Sequence, residues 1–144
     1  MLDNEGRNAT VKVIKIDHIG IAVKSALDAS KIYTKSLGLH ADEEILEGKK
    51  LKVVIIEAGG TRIELLEDLD PEGTISKFIE KRGEGLNHVA FEVDDIYETV
   101  KQLKNEGYRV TSDPSQGANN TIVTFIHPKD ANGVMIELVE RRKD

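Results

Sequence analysis

Cysteine is absent from the 144 residues. Its absence excludes disulfide scaffolds, thiol nucleophiles, CxxC redox chemistry and thiolate zinc sites together. Basic charge is in deficit, with 20 Lys and Arg against 26 Asp and Glu for a net charge of −6. That balance lacks the electrostatic footprint of a nucleic-acid binder, so no nucleic-acid partner is expected. No apolar run approaches the about 18 residues of a membrane span, so no membrane partner is expected either. GxGxxG, GxSxG and Walker sequences are missing, which leaves nucleotide hydrolysis and serine hydrolase chemistry without support. The opening MLDNEGRNATVK has no apolar core and does not read as a signal peptide. A flexible lead-in over residues 1–12 and a cytoplasmic location are the expectations.

What is present is a soluble globular composition, 39% hydrophobic and 32% charged, in the length of one domain. Such a chain can fill a core without a metal or disulfide to hold it. Two stretches nearly repeat. Asp17-His18-Ile19-Gly20-Ile21-Ala22-Val23 is matched by Asn87-His88-Val89-Ala90-Phe91-Glu92-Val93. Ile63-Glu64-Leu65-Leu66-Glu67 is matched by Ile136-Glu137-Leu138-Val139-Glu140. The offsets, 70 residues at the histidines and 73 at the glutamates, differ by no more than loop lengths between two copies would.

Each half has the same order of elements. In the first, Ser25 caps a helix whose stripe is Ala26, Ala29, Tyr33 and Leu37, stopped at Gly38. In the second, Asp94 or Asp95 caps a helix on Ile96, Val100 and Leu103, ended by Gly107. Strands are expected near Ala41–Leu46, Leu51–Glu57 and Thr61–Leu66, then Tyr108–Thr111, Thr121–Ile126 and Val134–Val139. Ile75, Phe78 and Ile79 predict a linking helix over 74–82, led in by the turn Asp70-Pro71-Glu72-Gly73. The fold class is α+β. Two tandem βαβββ modules, about 13–69 and about 85–144, form one domain (13–144) with a curved-sheet, barrel-like, metal-binding cavity.

Side chains alternate along a strand. His18, Gly20 and Ala22 therefore share one face, and His88, Ala90 and Glu92 share one face of the second His strand. Glu64 and Glu137 stand opposite the apolar residues on either side of them. Pseudo-twofold pairing would gather two imidazoles and two carboxylates in one cavity, an N/O ligand set for Co, Ni, Mn, Fe or Zn with positions left for water or substrate. The competing reading is that these are solvated groups lining a cup.

At these residues the sequence resembles the vicinal oxygen chelate superfamily, which includes glyoxalases, bleomycin-resistance proteins and dioxygenases. Within it the resemblance is to the methylmalonyl-CoA epimerases. It is carried by DHIGIAV from Asp17, IELLE from Ile63, the run from Ile75 to Ile96 that contains KRGEGLNHVAFEVDDI, and FIHPKDANGVMIEL from Phe125. The resemblance implies His18, Glu64, His88 and Glu137 as ligands of one divalent metal ion, with Co favoured. It also implies an acyl-CoA thioester substrate, a homodimer, and epimerisation through a metal-stabilised enolate. Inversion calls for acid/base groups on opposite faces. Glu137 corresponds to one of them. For the other the family position falls near Val53, and Glu47 is the nearest acidic candidate upstream.

Two departures stand out. Glu64 replaces a Gln of some epimerases and makes the site more like glyoxalase I. Asn87 replaces a His before the ligand histidine. His127-Pro128-Lys129 reads either as a plain turn or as a rim segment that brings Lys129 to a CoA phosphate. His40 is expected to be exposed, Lys49, Lys50 and Lys52 to be a solvated run, and Ser115–Asn120 to be a polar loop. The alternatives are a glyoxalase I-type isomerase acting on a hemithioacetal and a non-catalytic small-molecule-binding member. An extradiol dioxygenase has no use for a fourth ligand at Glu64.

Overall fold

The computed structural model of the protein describes Gly6, residues 11–117 and residues 120–142. Most of the expected lead-in lies outside the described residues. The chain divides into two compact units, His18–His88 and a second that joins residues up to Asp17 with those from Val89 onward. Two strands, β1 (Val13–Ala22) and β5 (Gly85–Val93), pass through both.

In the His18–His88 unit, α1 (Ala26–Lys31) follows β1, and β2 (Ala41–Leu46), β3 (Leu51–Ala58), β4 (Thr61–Asp68) and α2 (Thr74–Arg82) come next. The strand order is β2-β3-β4-β1-β5. β1 and β4 are parallel, whereas β2–β3 and β3–β4 are antiparallel. The parallel pair needs a long crossover, which α1 and the β2–β3 hairpin supply.

One face of this sheet packs on α1 through Val23, Ala26, Val54, Ile56 and Leu65. Burying Ile56 and Leu65 almost completely contributes about 1.5–3 kcal/mol each. The Ser25 hydroxyl accepts from the Asp28 amide and caps α1 as expected. The helix then widens into a π-turn at Ile32–Ser36. The extra residue in that turn rotates Leu37 off the apolar stripe and leaves it 64% exposed, while Ala29 and Tyr33 reach the core. Gly38, at φ 72°, stops the helix.

The other face carries His18, Gly20 and Ala22 of β1. α2 lies over its far end, where Ile75 packs with Ala22, Val53 and Leu66 and is joined by Phe78 and Ile79. Asp68, at the end of β4, accepts from the Ser76 amide at 2.6 Å and holds the start of α2 against the sheet.

The second unit has the order β1-β5-β8-β7-β6, with α3 (Ile96–Asn105), β6 (Ser115–Gln116), β7 (Thr121–Ile126) and β8 (Met135–Arg141). Asp95 is the cap of α3, accepting from the Glu98 amide. Val93, Ile96, Val100 and Leu138 form the core beneath it. Glu140 accepts from the Ile96 amide at 2.9 Å, just as Glu67 accepts from the Ala26 amide at 2.9 Å in the other unit.

Two expectations need correction. The strand read at Tyr108–Thr111 is reduced to a single bridge, Val110 with Ile126, because on either side the Arg109 amide is taken by Asp130 and the Ser112 carbonyl by the Thr124 hydroxyl. The loop read at Ser115–Asn120 begins instead with β6, whose Ser115 and Gln116 pair with Val123 and Ile122. Ala118 and Asn119 lie outside the described residues.

Arg109 grips Asp130 in a fork, Nη2 to Oδ1 at 2.7 Å and Nε to Oδ2 at 3.1 Å, and the Arg109 amide donates to Oδ2 as well. These bonds, the guanidinium's first, hold the Asp130 carboxyl at about 2, below its ordinary 3.8. A depressed carboxyl stabilises the fold above its ordinary value and stops doing so as pH falls towards the folded value. Melting of the wild-type protein and Asp130→Asn should therefore differ most at about pH 5 and converge between about pH 4 and pH 2. A difference that persists unchanged at pH 2 would contradict this assignment.

Candidate metal centre

Three of the four expected ligands lie in the His18–His88 unit. His18 sits on β1 and is 7% exposed. His88 sits on β5 and is 8% exposed. Their Nε2 atoms face each other at 3.1 Å, with the rings edge to face at 89°. Glu64 is aligned with Gly20 across the β1–β4 pair, which puts it on the histidine face, and its Oε1 lies 3.7 Å from His18 Nε2.

Gly20 makes the arrangement possible. A Cβ there would lie 2.2 Å from Cε1 and 2.7 Å from Nε2 of His88, so the imidazole occupies the room that a side chain would take. With Nδ1 of His88 donating to Asn87 Oδ1 at 2.9 Å, Nε2 keeps its lone pair and points it at His18. Two imidazole nitrogens 3.1 Å apart are within the span of two ligands each about 2.0–2.1 Å from one ion. A divalent ion between them would accept both Nε2 lone pairs, in place of a hydrogen bond from one ring to the other. The donor set of two imidazoles and a partly buried carboxylate thus fits a borderline divalent ion.

Glu137 stands on β8 opposite Phe125 and is partly buried. Its neighbours Ile136 and Leu138 pack under α3, so Glu137 belongs to the other face of that strand. Glu47 opens a 3-10 turn (Glu47–Lys49) after β2 and is exposed. Lys129 is exposed in the turn Pro128–Asp130, whose amide at Lys129 donates to Nδ1 of His127 at 3.1 Å. His127 therefore serves as a turn cap. His40 pairs with Asp42 in solvent. Lys49 and Lys50 are exposed, while Lys52 departs from the expected solvated run by pairing with Glu43.

A cavity of about 440 Å³ lies elsewhere, between α3 and Asp113-Pro114, and none of the expected ligands lines it. Its Tyr97, Lys101 and Asp113 bring no convergent donor set, so the histidine pair is the more informative place. Sequence reading missed the specific need for Gly20. No local signal marks it, because the ring it admits belongs to a residue 68 positions on.

Residues 17–125 match the model of the glyoxalase/bleomycin resistance protein/dioxygenase superfamily. The chain is 38% identical over 132 residues to the uncharacterized protein YqjC of Bacillus subtilis, covering 90% of this chain and 94% of that protein. It is 36% identical over 130 residues to mitochondrial methylmalonyl-CoA epimerase of Mus musculus, covering 88% and 73%. Among solved structures it resembles a variant of Streptomyces coelicolor methylmalonyl-CoA epimerase in complex with 2-nitronate-propionyl-CoA. There the TM-score is 0.81 and the identity 30%, over 90% of this chain and 96% of that one. The chain therefore belongs to the glyoxalase/bleomycin resistance protein/dioxygenase superfamily, as a homologue of its methylmalonyl-CoA epimerases, isomerases of the racemase and epimerase class.

Proposed function

We propose that the protein is a metal-dependent epimerase that interconverts the epimers of methylmalonyl-CoA, with His18, Glu64, His88 and Glu137 as the ligands. The observation that carries this reading is the pair of buried imidazoles with Nε2 atoms at 3.1 Å and a carboxylate beside them. The epimerase homologues supply the substrate class. Glu137 enters as the counterpart of Glu64 in the repeated Ile-Glu-Leu. That repeat is the mark of two tandem βαβββ modules in one domain. The duplication is supported by the paired caps, Ser25 with Asp95 and Glu67 with Glu140.

A bound divalent ion supplies Lewis-acid stabilisation of the charge that α-proton removal places on the thioester oxygen. The protein's own groups do the rest. Glu137 takes the α-proton on one face of the planar carbon, and Glu47 returns one on the other. Glu47 follows Leu46, which packs against the α2-covered face, so its position is compatible with the rim of the histidine side. Lys129 stands in a solvent-facing turn, suited to meet a CoA phosphate. Asn87 pairs with Nδ1 of His88 and orients the ring so that Nε2 faces His18.

In heavy water, one epimer given to the metal-loaded protein should gain α-deuterium and become a mixture of epimers. Exchange that stays at background would overturn the assignment. The carboxylate at Glu64 favours a second reading, a glyoxalase I-type isomerase, which would instead turn over a methylglyoxal–thiol hemithioacetal. A non-catalytic binding protein would do neither and would retain no metal.

A further inference from the structure

Arg141, Asp17 and Glu92 form a charged cluster that the proposed chemistry does not use. Asp17 is 2% exposed, among the most buried ionisable groups described. Nη2 of Arg141 donates to its Oδ1 at 2.5 Å, and Nε of Arg141 approaches Glu92 Oε1 at 4.0 Å. A guanidinium can hold two carboxylates in fixed directions because its donors form a rigid planar fork.

The three residues come from three strands, β1, β5 and β8, and each strand also carries one of the proposed ligands. Asp17 immediately precedes His18. Glu92 lies four residues after His88 on the same face of β5, with Ala90, fully buried, between them. Arg141 lies four residues after Glu137 on the same face of β8, with Val139, 2% exposed, between them. Four residues of strand are about 13 Å of stiff, hydrogen-bonded backbone. The tie joins the ends of β5 and β8 to the middle of β1, one residue before His18.

We propose that Arg141 is a positioning residue for the histidine pair, which through Asp17 and Glu92 sets β1 and β5, the strands that run on into His18 and His88. This rests on the metal reading above. Groups outside the ligand set that orient it typically change metal affinity by about 10- to 100-fold when removed.

The test compares Co²⁺ affinity, by competition with a chelating dye, with the melting temperature of the metal-free protein. Arg141→Met takes the guanidinium away from the buried Asp17 carboxylate and is expected to lower both. The double variant Asp17→Asn with Arg141→Met also neutralises the buried carboxylate, so its metal-free melting temperature should recover towards wild type. Its Co²⁺ affinity should stay at least about tenfold weaker. Arg109→Met, which breaks an Arg–Asp fork elsewhere in the same unit, should lower stability and leave Co²⁺ affinity within twofold. Double-variant affinity within twofold of wild type would overturn the proposal, as would an equal affinity loss in Arg109→Met. If the wild-type protein itself holds no Co²⁺, the metal reading falls and takes this proposal with it. Unchanged affinity in the double variant, with normal wild-type binding, removes the positioning role alone.

Discussion

His88→Ala is expected to leave the protein folded but unable to retain a divalent ion through desalting, with epimerase activity at background. The effect should be large because His88 contributes one of two imidazoles held with Nε2 atoms 3.1 Å apart. Neither exposed His40 nor His127, which is spent on capping a turn, can replace it. Losing a group that only orients a ligand already weakens metal binding by about 10- to 100-fold, and losing the ligand itself should exceed that range. Stability should change far less, by about 1–3 kcal/mol, as for other buried side-chain truncations. Glu64→Gln offers a graded comparison, since the amide keeps an oxygen donor and removes one negative charge. Its affinity should fall between those of wild type and His88→Ala. Metal analysis of the purified variants decides the matter, and a full metal complement in His88→Ala would overturn the site.

The parts of the molecule that could be read from its residues are those with a local or repeated signature. Ser25 and the Ile75, Phe78, Ile79 stripe marked helices that form where expected, because caps and helical spacing act within a few residues. The histidines and Glu64 could be picked out because each stood in a context that recurs some 70 residues away, whereas a lone histidine would have carried little weight. The course of α2 over the histidine face was not legible. Its stripe says that it buries a side, not which sheet face receives it. Leu37 falls off the apolar stripe because the π-turn adds a residue to the helical repeat, which even spacing in the sequence does not announce. Glu67 and Glu140 stood within the repeated motifs without an assigned role. Their bonds to the helix amides of Ala26 and Ile96 bridge 41 and 44 residues, beyond the reach of capping rules based on near neighbours.

Gly20→Ala should weaken the metal centre while leaving every proposed ligand in the chain. Gly20 does not have the positive φ that makes other glycines hard to replace, so alanine strains no backbone there. The added Cβ would instead fall 2.2 to 2.7 Å from three atoms of the His88 ring. The ring is the free end of a side chain and can rotate away at moderate cost, about 1–3 kcal/mol by analogy with other overpacked sites. Rotation, however, breaks the Nδ1 bond to Asn87 and turns Nε2 away from His18. The variant should therefore stay folded, melt below metal-free wild type by no more than that cost implies, and bind Co²⁺ about 10- to 100-fold more weakly. Because a ligand that binds only the native state raises its stability, added Co²⁺ should shift the melting temperature of wild type far more than that of Gly20→Ala. Equal shifts in the two proteins would mean that the ring does not need the space Gly20 leaves. The 3.1 Å approach of the two imidazoles would then not be the basis of metal binding.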